Sequence, residues 1–93
     1  MALGPWGVQV GAFSRLAPAK AAAKLATRKA PTYLKTAYIN IKETRTGKSR
    51  LYRARVIGLS QQEARAACVQ LKAKKVDCVV FKTSESLAMS SNR

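Results

Sequence analysis

Two short runs constrain the topology of this chain more than anything else in it. Val10-Gly11-Ala12-Phe13-Ser14 and Ile57-Gly58-Leu59-Ser60 each close a stretch of period-two alternation and open a helix-forming stretch. Between them lie the alternating stretches Lys35–Lys42 and Arg50–Ile57, joined through Thr46-Gly47-Lys48, a turn that makes them a hairpin. A last alternating run, Asp77–Lys82, follows the second helix. The expected order is therefore β-α-β-β-α-β, with four strands and two helices. That order implies an α+β domain: a four-stranded antiparallel sheet, two helices covering one face and the other face open.

The alternation also sorts residues onto faces. In Trp6–Ser14, Val8 and Val10 fall on the core side, while Gly7, Gln9 and Gly11 fall opposite, where two glycines would let a ligand approach the sheet closely. Ala37, Ile39 and Ile41 share one face of the next strand; Tyr38, Asn40 and Lys42 share the other. Tyr52, Ala54 and Val56 alternate with Leu51, Arg53 and Arg55. The first helix is expected over Ala19–Arg28, with Ser14 hydrogen-bonding nearby backbone and Pro18 at the first helical position. Lys20, Lys24 and Arg28 form one basic stripe on it, read as a solvated face, and Ala30-Pro31 ends it. The second is expected over Gln61–Lys74, opened by the capping box Ser60-Gln61-Gln62-Glu63, with Ala64, Ala67, Cys68 and Leu71 on its apolar stripe. The open face should then carry Gln9, Tyr38, Asn40, Leu51, Arg53, Arg55 and Phe81: polar, cationic and aromatic groups, as a platform for a polymer would.

Charge and length narrow the function classes. Ninety-three residues suit one domain, read as a linker over 1–5, the folded unit over 6–82 and a polar tail over 83–93, a piece of a longer protein. Eighteen lysines and arginines stand against four acids, a net charge of +14 that points to an anionic partner: nucleic acid, an envelope polymer or a membrane surface. No run of eighteen apolar residues is available to cross a membrane, and no basic-then-apolar signal segment precedes Trp6. Catalysis is not expected, because there is no histidine, the four acids are scattered, and no Ser-x-x-Lys occurs. No cofactor or metal is expected, and a monomer is.

Three blocks resemble the SPOR domain, the sporulation-related repeat: Trp6–Ser14, then Leu51–Gly58, then Ala64–Lys72, in that order and at the family's spacing across residues 6 to 82. The resemblance implies an RNP-like βαββαβ fold and a non-catalytic module that binds peptidoglycan glycan strands stripped of their stem peptides, chiefly at division septa. Leu51-Tyr52-Arg53-Ala54-Arg55 and the cysteine pair are most similar to the copies that end alphaproteobacterial D-alanyl-D-alanine carboxypeptidases. Gln9 matches the family's glutamine on the first strand, Ser14 the polar residue after Gly-Ala-Phe, and Arg53 the arginine of the third strand. Leu51 departs from the pattern, standing where many members carry tryptophan, as does Gly58-Leu59, where they carry Gly-Pro-Phe.

The residues suit such a ligand. Gln9, Asn40 and Ser14 exchange hydrogen bonds with acetamido and hydroxyl groups. Arg53 and Arg55 fork onto a carboxylate. Tyr38 and Phe81 offer flat apolar faces to sugar rings. Trp6 and Tyr52 are equally explained as packing or as ligand contacts, and Phe13 is read as packing. Two alternatives stay open: a nucleic-acid-binding module, which the fold and charge would also serve, and a protein-interaction domain. Against the first, Leu51–Arg55 lacks the paired stacking rings of an RNA-reading third strand. Cys68 on the second helix and Cys78 at the last strand are placed to meet beneath the helix. They read as buried thiols in a cytosolic protein, and the family's periplasmic setting makes a disulfide the expectation.

Overall fold

In the computed structural model, residues 4–83 are described. The chain runs β1 (Gly4–Phe13), α1 (Leu16–Lys29), α2 (Pro31–Leu34), β2 (Tyr38–Thr46), β3 (Ser49–Gly58), α3 (Gln61–Ala73) and β4 (Val79–Lys82). The strands form one sheet in the order β2-β3-β1-β4, with every neighbouring pair antiparallel. This is the expected α+β architecture with one added element, the single turn α2.

That turn comes from Pro31. Ala30 ends α1 as expected, but Pro31 then takes the first position of a new helix, where its missing N–H costs nothing and its φ is already helical. Leu34 is thereby driven fully into the core. β2 in consequence starts at Tyr38 rather than Lys35, and it runs on to Thr46. At the other end α1 starts at Leu16, three residues earlier than expected, so Pro18 sits within the first turn rather than opening it. Its cap is Arg15, with no side-chain bond; Ser14 caps nothing. β1 likewise takes in Gly4 and Pro5, assigned above to the linker. β4 begins at Val79, not Asp77. From residue 84 on, the expected tail lies outside the described residues, as do residues 1–3.

The helices cover one face of the sheet. Val8, Val10, Ala54 and Val56 meet Ala19, Ala23 and Ala26 of α1 and Ala64, Ala67 and Leu71 of α3. Alanine on both helices lets their backbones approach the sheet closely, so the core is thin and built of small side chains. Among the described residues no polar or charged side chain is buried. Trp6, Phe13 and Tyr52 pack partly buried against this cluster.

Local chemistry places the ends. The capping box of α3 is formed: Ser60 Oγ accepts from Glu63 N–H at 3.1 Å, and Ser60 N–H donates to Glu63 Oε1 at 2.9 Å. At its far end, Lys75 takes a left-handed conformation (φ 65°). Lys75 N–H then donates to Lys72 C=O and Val76 N–H to Leu71 C=O, a Schellman reversal. The reversal turns the chain back under α3 and brings Cys78 to Cys68. The two are disulfide-bonded, with Cα atoms 5.3 Å apart.

The register of β1 on β3 shifts twice, between Gly4 and Gly7 and between Gln9 and Gly11, and the second shift bears on the open face. Gln9 pairs with Arg55, but the next pair is Gly11 with Ala54, so Val10 is the extra residue of a bulge. Gly11 accommodates it at φ 155°. A one-residue insertion reverses the facing of everything beyond it. Gly11 therefore lies beside buried Ala54 and against the Phe13 ring, on the helix side, rather than with Gly7 and Gln9 on the open face.

Candidate functional site

Strand register lays the open face out as a grid. Tyr38 pairs with Ile57, Ile57 with Gly7, and Gly7 with Phe81. One step along, Asn40 pairs with Arg55, Arg55 with Gln9, and Gln9 with Val79. The next row is Lys42, Arg53 and Ala12, and the last is Thr44 with Leu51. Seven of the eight expected site residues thus share this face: Gln9, Tyr38, Asn40, Leu51, Arg53, Arg55 and Phe81. They are not all neighbours. Six residues of strand, roughly 20 Å, separate the row of Tyr38 from that of Leu51. Ser14 lies off the sheet, exposed in the bend between β1 and α1.

Arg55 is the centre of the grid. Its Nε donates to Gln9 Oε1 at 3.1 Å, and its guanidinium stacks over the Phe81 ring, 4.5 Å from the centroid. Burial, and secondly the positive charge of Arg53, push the Arg55 guanidinium down from its ordinary pKa. It stays cationic at physiological pH, since arginine is not deprotonated in proteins. Among the described residues neither Arg53 nor Arg55 has a carboxylate partner. Glu43, the nearest acid in β2, has the opposite parity and is taken by Arg50 at 3.0 Å, with Arg45 at 3.7 Å. Lys42 faces Arg53 directly across β2 and β3, a like-charge pair that is unfavourable without an anion. Three cations, Lys42, Arg53 and Arg55, therefore share this part of the surface.

Two of the expected features are used differently from their sequence reading. Gly7 does not admit a ligand to the backbone. A Cβ there would meet Phe81 Cζ and Ile57 Cγ2, each at 3.1 Å, so the space above Gly7 is filled from within. Phe81, in turn, gives one ring face to Arg55. Tyr38, 54% exposed, is the free ring on the face. A depression of about 430 Å³ lies beside Phe81, lined by Asn40, Lys42, Glu43, Arg55 and Ile57 among others. A second, of about 450 Å³, opens on the other side of Gln9, against Ala12, Val79 and the turn that carries Asp77. The Arg55–Gln9 pair stands between the two.

Lys42, placed on this face by its alternation with Ile41, belongs to the surface, as do Ile57 and Val79, which were not singled out from the sequence. The same alternation would have found them, since Ile57 continues the Leu51, Arg53, Arg55 series and Val79 the Phe81 series. The arrangement suits an extended, hydrogen-bonding, anionic ligand laid across the strands. Among the described residues it holds no nucleophile with an adjacent base.

The SPOR-domain family model matches residues 2–82. Among solved structures, the crystal structure of the RlpA SPOR domain from Pseudomonas aeruginosa is similar, with a TM-score of 0.59 at 20% identity, over 83% of this chain and 97% of that one. At that identity the likeness is one of fold. No curated protein matches the chain.

Proposed function

The chain belongs to the SPOR-domain family, modules that bind peptidoglycan in bacterial envelope proteins, and from that premise we propose that its open sheet face binds glycan strands stripped of their stem peptides and so carries a parent protein to the division septum. The observation that carries the reading is the row Asn40–Arg55–Gln9, two amides flanking a cation that has no carboxylate partner among the described residues. A stripped glycan presents acetamido groups, hydroxyls and, on each muramic residue, a lactyl carboxylate. The amides exchange hydrogen bonds with the first two. The arginines Arg53 and Arg55 supply the charge that attracts the third. Tyr38 packs against a sugar ring, with Leu51 offering a smaller apolar surface at the far end of the face and Ser14 a hydroxyl at its corner.

Field and fit have separate parts here. The net charge of +14 raises the rate of encounter with an anionic wall, while the braced groups set what is retained. The parent protein is proposed to be an envelope enzyme, a D-alanyl-D-alanine carboxypeptidase by the resemblance noted above. The compartment is proposed to be the periplasm, whose oxidising conditions suit the Cys68–Cys78 bridge.

The test is co-sedimentation of the purified domain with sacculi before and after amidase treatment. Greater binding to treated sacculi is expected. Equal binding to both, or tight salt-sensitive binding to RNA in their place, would sink the reading.

A further inference from the structure

We propose that Arg55 is the residue that tells a stripped glycan from a peptide-bearing one, by taking the lactyl carboxylate that removal of the stem peptide exposes. The proposal rests on the stripped-glycan reading of this face. In an intact strand the lactyl group ends in an amide to the first amino acid of the peptide, a neutral group with one acceptor and one N–H donor. Hydrolysis of that amide leaves a carboxylate, negatively charged, with two acceptor oxygens and no donor. A guanidinium has donors only. It pairs in forked geometry with the carboxylate, and it gains little from the amide.

One observation selects Arg55 among the cations of the face, and two more suit it to an anion. It is immobilised before any ligand arrives, by the bond from Nε to Gln9 Oε1 and by the stack on Phe81, which leaves its two terminal nitrogens for a partner. Pre-ordering of this kind spares the ligand the cost of fixing a long side chain. It is half-buried, as Arg53 is too, so a charge brought to it is less screened than at an exposed site. And it stands beside Arg53, which in turn faces Lys42, so that an anion seated on Arg55 relieves repulsion within the cluster. Arg53 has no described side-chain bond to brace it, and it contributes field without geometry. Gln9 is a positioning residue: it fixes the plane of the guanidinium.

Glycan strands released with amidase are prepared in two forms, one as released and one with the lactyl carboxylates coupled to methylamine. Both lack stem peptides; they differ in the carboxylate alone. Dissociation constants are measured by calorimetry for the domain and its variants. The wild-type domain is expected to bind the free-acid form at least tenfold tighter, about 1.4 kcal/mol. Arg55→Lys keeps the charge but loses the fork and the stack, and the ratio should fall below about threefold. Arg53→Gln should weaken binding to both forms and keep the ratio. Equal wild-type binding to the two forms overturns the assignment but leaves the stripped-glycan reading standing. A ratio that survives in Arg55→Lys likewise overturns it. If neither form binds better than intact strands, both readings fall together.

Discussion

The two faces of the sheet are made from the same strands and differ in what their side chains are tied to. On the helix side, Val8, Ala54 and Val56 are fully buried against alanines and Leu71, and each is held by contact with many neighbours. On the open side, one residue along each strand, Gln9, Arg53 and Arg55 meet few partners, and the charged ones no acid among the described residues. A step of one residue in β3 separates a group that holds the fold from a group free to hold something else. The contrast also explains why charge alone is a poor guide to the site. Lys20, Lys24 and Arg28 on α1 are as cationic as the open face, but they are exposed and have no described bond bracing them. Arg55 is half-buried, hydrogen-bonded and stacked. What marks a site here is charge that the fold has desolvated and oriented without neutralising.

If the two faces are separable, stability and binding should respond to different substitutions. The largest effect is expected from Leu34→Ala, which empties a fully buried position beneath α2. A loss of about 2–4 kcal/mol should appear as a melting temperature lower by roughly 10–20 °C, with glycan affinity per folded molecule unchanged. Reduction of Cys68–Cys78 should come next. The bridge spans a separation of ten residues, and its loss removes roughly 2–3 kcal/mol on the loop-entropy estimate. Thiol titration of the periplasmically produced protein, denatured but not reduced, should find no free cysteine. This experiment probes the comparison at its most exposed point, because the bridge lies just ahead of the strand that carries Phe81. A fall in affinity of more than about twofold in reduced, still folded protein would mean that the faces are coupled through β4.

Binding without a stability change is the expected signature of the open face. Arg53→Glu should lower affinity for amidase-treated sacculi by about tenfold or more, since the new carboxylate takes up Arg55 and repels the ligand, while the melting temperature moves by no more than about 2 °C. Gln9→Lys should act in the same direction by removing the acceptor that orients Arg55. Smallest of all should be the triple change Lys20→Gln, Lys24→Gln and Arg28→Gln. At physiological salt, charges beyond about 8 Å are largely screened, so affinity should shift by less than about twofold. A loss as large as that from Arg53→Glu would show that overall charge, not the braced face, governs binding.

Most of the fold was readable because it rests on local geometry. Period two in Tyr38–Lys42 and Leu51–Val56 placed Asn40, Arg53 and Arg55 on one face before any partner strand was known, because successive side chains of a strand must alternate. Ser60 and Glu63 marked the start of α3, because a capping box needs only four consecutive residues. The cysteine pair was placed by the same reasoning, a helix stripe and the strand that returns beneath it.

What the sequence by itself determined about this protein is therefore which residues share a face, where α3 begins, and the α+β class that follows from the order of elements. The tertiary structure alone decided what those residues do to one another. The bulge at Val10 turned Gly11 to the helix side, and no pattern within β1 announces it, since the extra residue is defined only against β3. Phe81 fills the space over Gly7, so a glycine that read as an opening for ligand became a seat for an aromatic ring. Gln9 and Arg55, forty-six residues apart, hydrogen-bond because the register of β1 on β3 sets them opposite each other. Alternation is a property of each strand's own backbone, whereas register is a property of two strands, fixed by how their buried faces pack together, and the chemistry of the open face is inherited from it.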